Sequence, residues 1–258
     1  MDVLTYDATP EETLWIDLPD TDGLKLKAIL RGSLDKPTVV MVHGLPGGGN
    51  ELLQFLGARY LHEQGFTTLR LYLYDWEPNT RNLVDCTVQT HAADFDVVVT
   101  YLKQQGVPKI FAEGHSYGGL TILTATSRLD GAVLWDPSHG LVFRDPAQLE
   151  YYENSLVKET DNLKLFLNGP GYIEPKAITK EQDEMGDTTN LAAHKGYPLK
   201  IISAGKGLMV ELGKRYIDVA DEPKEHSVIA EAHHVFEDSD EVMFDLLKQT
   251  ADWFKECL

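Results

Sequence analysis

The sequence predicts an α/β fold, a mostly parallel sheet flanked by helices with a small cap inserted late in the chain. Three observations predict it. Short apolar runs alternate with stretches of helical periodicity through most of the 258 residues, which is the rhythm of strand–helix–strand units. Those runs are rich in β-branched and aliphatic residues, as strands covered on both faces require. The rhythm fails between about residues 138 and 197, where a polar stretch punctuated by Gly and Pro separates two strands. That stretch reads as a cap within one domain spanning 1–258.

The elements follow in order. "TLWIDL" and "LKLKAIL" alternate at period two and predict a leading hairpin, with "DTDG" as its turn. "TVVMV" (38–42), "TTLRLYLY" (67–74), "KIFAE" (109–113), "GAVLW" (131–135), "LKIIS" (199–203) and "EHSVI" (225–229) are the further strands. Asn50 is placed to cap a helix that runs to Gly65, and Thr90 to cap one that Gly106 stops. Phe95, Val98, Val99 and Leu102 make one stripe on the second helix. "GLTILTATSRL" predicts a helix after "KIFAE", and a final helix over about 240–257 should bury Met243, Leu246, Leu247 and Phe254.

Composition narrows the classes of partner. With 23 basic against 41 acidic residues the net charge is −18. Such a surface repels phosphate backbones and anionic lipid, so nucleic acid and membrane surfaces are disfavoured. No apolar run approaches the ~20 residues that cross a bilayer, and the N-terminus lacks the basic and apolar regions of a signal peptide. Cys86 and Cys257 are too few for a disulfide framework, so a cytoplasmic location is expected.

The chemistry concentrates in "EGHSYGG" (113–119). G-x-S-x-G between a strand and a helix is a nucleophile turn: Ser116 sits in strained backbone, and small residues two positions away avoid collision. The helix that follows directs its positive end at the site. A second Gly-rich loop, "HGLPGGGN", follows the strand at 38–42. Acyl transfer needs two N–H donors where the oxyanion forms. Tyr117 should supply one and Leu45 the other, since Pro46 has no N–H. A phosphate-binding loop would require a Lys-Ser/Thr ending, which is missing. The general base must arrive after the last strand, where His233 and His234 both qualify. Two adjacent histidines in an extended loop cannot both face one site. Neither belongs to a metal-ligand pattern, and no metal or other cofactor is expected.

Strand–HGxPGG, strand–GHSYGG–helix and a late "AHHVF" resemble the α/β-hydrolase superfamily, notably its cap-bearing esterase, lipase and serine-aminopeptidase-like branch. The resemblance covers nearly the whole chain outside the cap and implies an eight-stranded sheet. Laying the family's terminal G-x-x-H-x-F on this sequence implies His234 as the catalytic histidine. It also implies an acid after the penultimate strand, but that position in "IISAGKGLMV" is Gly207. Asp136, at the end of "GAVLWDPSHG", is the candidate replacement, because a few family members with a similar L-D-P stretch take their acid from this strand. Asp136 as a mere turn residue, and Glu211 or Asp238 as substitute acids, are the alternatives.

After "LYLY" the family's D-x-R-G-x-G-x-S is replaced by "YDWEPNTRN", so the site entrance should differ. His43, Trp76, Trp135 and Tyr117 are candidates to line a substrate pocket. The expected function is that of a serine hydrolase cleaving small or medium acyl esters through an acyl-enzyme. The enzymatic alternative, an aminopeptidase or amidase of proline-iminopeptidase type, would bind a free amine through Glu113, Glu150 or Glu153. A non-catalytic ligand receptor on the same scaffold is the alternative from outside enzymology.

Overall fold

Period-two alternation in the first two runs builds an antiparallel hairpin, β1 (Glu11–Asp17) with β2 (Lys25–Arg31), in which Leu14 lies opposite Ala28. The computed structural model describes residues 9–19, 21–142, 150, 154–166 and 172–258. The apolar runs that follow become β3 (Thr38–Val42), β4 (Thr67–Tyr72), β5 (Ile110–His115), β6 (Gly131–Trp135), β10 (Leu199–Ala204) and β11 (Lys224–Ile229). They assemble one eight-stranded sheet in the order β1-β2-β4-β3-β5-β6-β10-β11. Pairing is antiparallel for β1–β2 and β2–β4 and parallel from β4 onward.

Strand order reverses direction at β3, whose neighbours are β4 and β5. Loops leaving the carboxyl ends of β3 and β5 therefore diverge, and the crevice between them is where open α/β sheets build their sites. The nucleophile turn and the Gly-rich loop both start there.

Helices cover both faces. On one, α2 (Val88–Gln104) buries Phe95, Val98, Val99 and Leu102, the predicted stripe. On the other, α1 (Leu52–Glu63) and α6 (Asp240–Glu256) bury Leu53, Leu56, Leu246, Leu247 and Phe254. Trp135 at the end of β6 is fully buried in this second layer, where its Nε1 donates to Thr250 Oγ1 at 2.9 Å.

Several boundaries differ from expectation, each for a local reason. Asn50 does not cap α1, because its Oδ1 accepts from Arg70 at 2.8 Å, and Glu51 takes the cap position. Thr87, not Thr90, caps α2; the two threonines form a reciprocal capping box with Thr90 at the third helical position. Helix α3 (Tyr117–Thr124) is shorter than "GLTILTATSRL" suggests, because the Asp96 carboxylate takes the amides of Thr126 and Ser127. Helix α5 (Met209–Val219) went unrecognised in the sequence. Its internal Gly213 weakens the helical pattern, yet glycine is needed there: a Cβ would fall 2.7 Å from Ser203 Oγ of β10.

Within 138–197 the described residues form a three-stranded antiparallel sheet, β7 (Leu156–Glu159), β8 (Leu163–Phe166) and β9 (Tyr172–Pro175). Helix α4 (Lys176–Met185) follows. Glu181 of α4 accepts the Val88 and Gln89 amides at the start of α2, a favourable place for a carboxylate. No described helix is long and apolar enough to cross a membrane.

Replacing Trp135 by Ala should cost about 3–5 kcal/mol, the usual penalty for emptying a core tryptophan site. Urea unfolding monitored by circular dichroism measures it; a loss under 1 kcal/mol would contradict the placement of this ring in the core.

Candidate active site

Ser116 follows β5 and stands at the N-cap of α3 with φ 53° and ψ −117°, a strained conformation for a residue with a side chain. The turn is tight enough that a Cβ on Gly118 would fall 2.1 Å from the Val42 carbonyl. This explains the small residue there and brings the end of β3 against the turn. The Ser116 hydroxyl lies 2.8 Å from His234 Nε2, to which it can donate. On the other side of the ring, His234 Nδ1 donates to Asp136 Oδ2 at 2.5 Å. Serine, histidine and aspartate thus form one continuous chain of hydrogen bonds.

Asp136 follows β6 directly, has φ 44° and is wholly buried. Its Oδ1 accepts from the Ala204 amide at 3.0 Å, where β10 ends beside β6. A buried carboxylate demands such donors, because its desolvation is otherwise uncompensated. Gly207 lies next to it: a Cβ there would sit 3.6 Å from Asp136 Oδ2. Position 207 thus lies beside the Asp136 carboxylate, which this chain presents from the end of β6.

The adjacent histidines divide as the extended loop requires. His233 turns outward, its Nδ1 2.5 Å from Asp238 Oδ1 and its amide donating to Asp238 Oδ2 at 2.8 Å. Asp238 is therefore engaged with His233, not with His234. Glu211 lies in the first turn of α5 and has no hydrogen bond to His234. His115, within the nucleophile motif, donates from Nε2 to the His234 carbonyl at 2.8 Å and packs beside its ring. Burial, and then the neighbouring His234, push His115 down to about 3, so it stays neutral.

The Leu45 and Tyr117 amides make no backbone hydrogen bond among the described residues. Gly44 permits the two loops to meet, since a Cβ on it would lie 3.3 Å from Ser116 Cβ. Leu45 packs against a buried apolar cluster containing Tyr117, Leu120, Val88 and Ile178 of α4.

Three pocket candidates are corrected. Trp135 is core, as described above. Trp76 is 92% exposed and lines nothing. His43 is buried with both nitrogens committed to backbone: Nδ1 donates to the Gly44 carbonyl at 2.7 Å and Nε2 accepts the Leu73 amide at 3.2 Å. Burial pushes it down to about 4, so it braces the loop as a neutral ring. Of the candidate amine-binding acids, Glu113 is fully buried and accepts from Gln54 at 3.1 Å, out of reach of a substrate. Glu150 is exposed, and Glu153 lies outside the described residues.

One neighbour of Ser116 was missed. Ser138 Oγ lies 3.3 Å from Ser116 Oγ, and its amide donates to the Ser116 carbonyl at 2.9 Å. Its place two residues after Asp136 was the one available signal.

The pattern described as the alpha/beta hydrolase family matches residues 39–243, which span both loops, the nucleophile turn and His234. The chain belongs to the alpha/beta hydrolase family. Solved structures resemble this hydrolase along nearly its whole length. GrgF, an alpha/beta hydrolase from Penicillium sp. sh18, superposes with TM-score 0.74 at 17% identity, covering 96% of this chain and 98% of its own. Est1E from Butyrivibrio proteoclasticus gives 0.69 at 18%, covering 95% and 98%. The esterase domain of a Rhodothermus marinus protein gives 0.68 at 18%, covering 96% and 98%. At such identities the likeness is one of fold. No curated protein matches this hydrolase in sequence.

Two carboxyls behind the Gly-rich loop carry a pH signature. A Cβ on Gly47 would fall 2.3 Å from Glu51 Oε1. Burial, and then the charge of Glu237, push Glu51 up to about 7. Burial also raises Glu113 well above the ordinary carboxyl range. The folded state holds these protons more tightly than the unfolded chain, where Glu titrates near 4.5. For Glu51 the associated stability is complete below about pH 4.5 and is lost as pH rises through about 7. Glu51→Gln should raise Tm by about 2–4 °C at pH 8 and leave it unchanged near pH 4. An equal change at both pH values in differential scanning calorimetry would refute this.

Proposed function

We propose that this hydrolase is a serine carboxylesterase acting on small or medium acyl esters. The observation that carries the proposal is the hydrogen-bonded chain Ser116–His234–Asp136, with links of 2.8 and 2.5 Å. Ser116 Oγ attacks the ester carbonyl as His234 Nε2 accepts its proton, and the carbonyl π electrons move onto oxygen. The Leu45 and Tyr117 amides stabilise that oxyanion. Collapse breaks the bond to the alkoxide, which leaves with the proton from His234. Water, deprotonated by His234, then attacks the acyl-enzyme and releases the acid and Ser116. Asp136 holds the imidazole in the required tautomer and stabilises its cation. These steps use no cofactor.

The apolar cluster flanking Leu45 and Tyr117 supports a modest acyl group. Because α4 contributes Ile178 to it, the 138–197 segment acts in this reading as a cap over a single catalytic domain. An esterase domain, and Est1E with ferulic acid bound, share the fold and agree with ester chemistry. Burial of Glu113 removes the best placed amine-binding acid, which weighs against the aminopeptidase alternative. The free thiols of Cys86 and Cys257 fit a reducing cytoplasm.

A fluorophosphonate probe should label wild-type protein and not Ser116→Ala, and an ester panel should be cleaved in preference to aminoacyl amides. Folded protein that neither labels nor cleaves would favour a ligand receptor instead. Asp136→Asn, which keeps a side chain tolerant of positive φ, should lower kcat by about 10⁴-fold. Adding Gly207→Asp should recover activity at least about tenfold, since a Cβ at 207 falls 3.6 Å from Asp136 Oδ2. Near-wild-type kcat in Asp136→Asn would remove Asp136 from the reaction.

A further inference from the structure

The Gly-rich loop has a composition at odds with its task. Oxyanion donors must be fixed before charge develops, yet "HGLPGGGN" contains four glycines, the residues with most conformational freedom. Something outside the loop must hold it, and the structure assigns that work to β4 and the two residues after it. Arg70 Nη1 donates to the Gly49 carbonyl at 3.0 Å and to Asn50 Oδ1 at 2.8 Å. The Tyr72 ring lies beneath Gly48 and Gly49, where added Cβ atoms would fall 3.5 and 2.8 Å from it. The Leu73 amide donates to His43 Nε2. The Tyr74 hydroxyl accepts the Gly47 amide at 2.7 Å, and its ring meets His43 edge-on with centroids 5.3 Å apart.

Leu45 therefore lies between two anchors. On one side His43 Nδ1 holds the Gly44 carbonyl. On the other Tyr74 holds the Gly47 amide, and among the described residues no other side chain hydrogen-bonds the backbone of segment 45–48.

We propose that Tyr74 is a positioning residue for the oxyanion loop: its hydroxyl, by holding the Gly47 amide, keeps the Leu45 N–H aimed at the oxyanion. The proposal rests on the serine hydrolase reading above. Tyr74 does not touch the reacting atoms; it acts through Gly47 and Leu45.

Tyr74→Phe deletes the acceptor and keeps the ring. On a short-chain aryl ester, kcat should fall roughly 10- to 100-fold while KM stays within about twofold, as expected for misplacing a group that acts in the transition state. Affinity for an alkyl boronic acid, which forms a tetrahedral adduct on Ser116, should fall by the same factor as kcat. A purely structural role would lower the active fraction without this split. Counting active sites by fluorophosphonate titration keeps kcat per site measurable if part of the variant misfolds. Unchanged kcat per site, or a fall in kcat without a matching loss of boronate affinity, overturns the positioning role alone. Wild-type protein that fails to label or turn over overturns the hydrolase reading and this role with it.

Discussion

The Asp136 carboxylate, sealed from solvent where β6 ends, is the interaction on which the arrangement of this site depends. Both its oxygens are engaged, one by the Ala204 amide and one by the His234 ring. A carboxylate buried without such partners would be expelled or protonated. Its burial therefore requires β6 and β10 in register, as seen where Trp135 pairs with Ile202. It also requires the loop after β11 to fold back over both strands. The site is possible only on the assembled sheet.

Backbone strain has a corresponding logic. Ser116 and Asp136 both take positive φ at the ends of adjacent strands. In each case the chain turns abruptly and leaves a polar side chain at the strand end. The cost is borne by extensive packing on both faces of the sheet, where Leu134 on one face and Trp135 on the other are fully buried.

Three histidines near the site show what burial does to an imidazole. His43 and His115 are buried and neutral, each supporting backbone: one the Gly44 carbonyl, the other the carbonyl of His234. His234 has a side chain 41% exposed and faces both a hydroxyl and a carboxylate. Burial removes the proton-accepting function from the first two and turns them into braces. Partial exposure leaves the third open to solvent.

Much of this was legible in the sequence. Apolar periodicity located all eight strands of the main sheet, and the spacing of Gly114, Ser116 and Gly118 marked the nucleophile turn, because such patterns reflect local backbone demands. Gly207 in the position where the family resemblance expects an acid turned attention to Asp136. What sequence could not decide was long-range contact. Whether Asp136 turned toward His234, which histidine of the pair faced inward, and that Trp135 lay in the core while Trp76 lay in solvent are consequences of how distant strands pack. Asn50 lost its cap to Arg70 for the same reason, and Tyr74 revealed itself as a loop brace through a bond spanning 27 residues. Local propensity writes the elements and their turns; side-chain partners separated by tens of residues are chosen by the three-dimensional burial that makes an unpaired polar group costly.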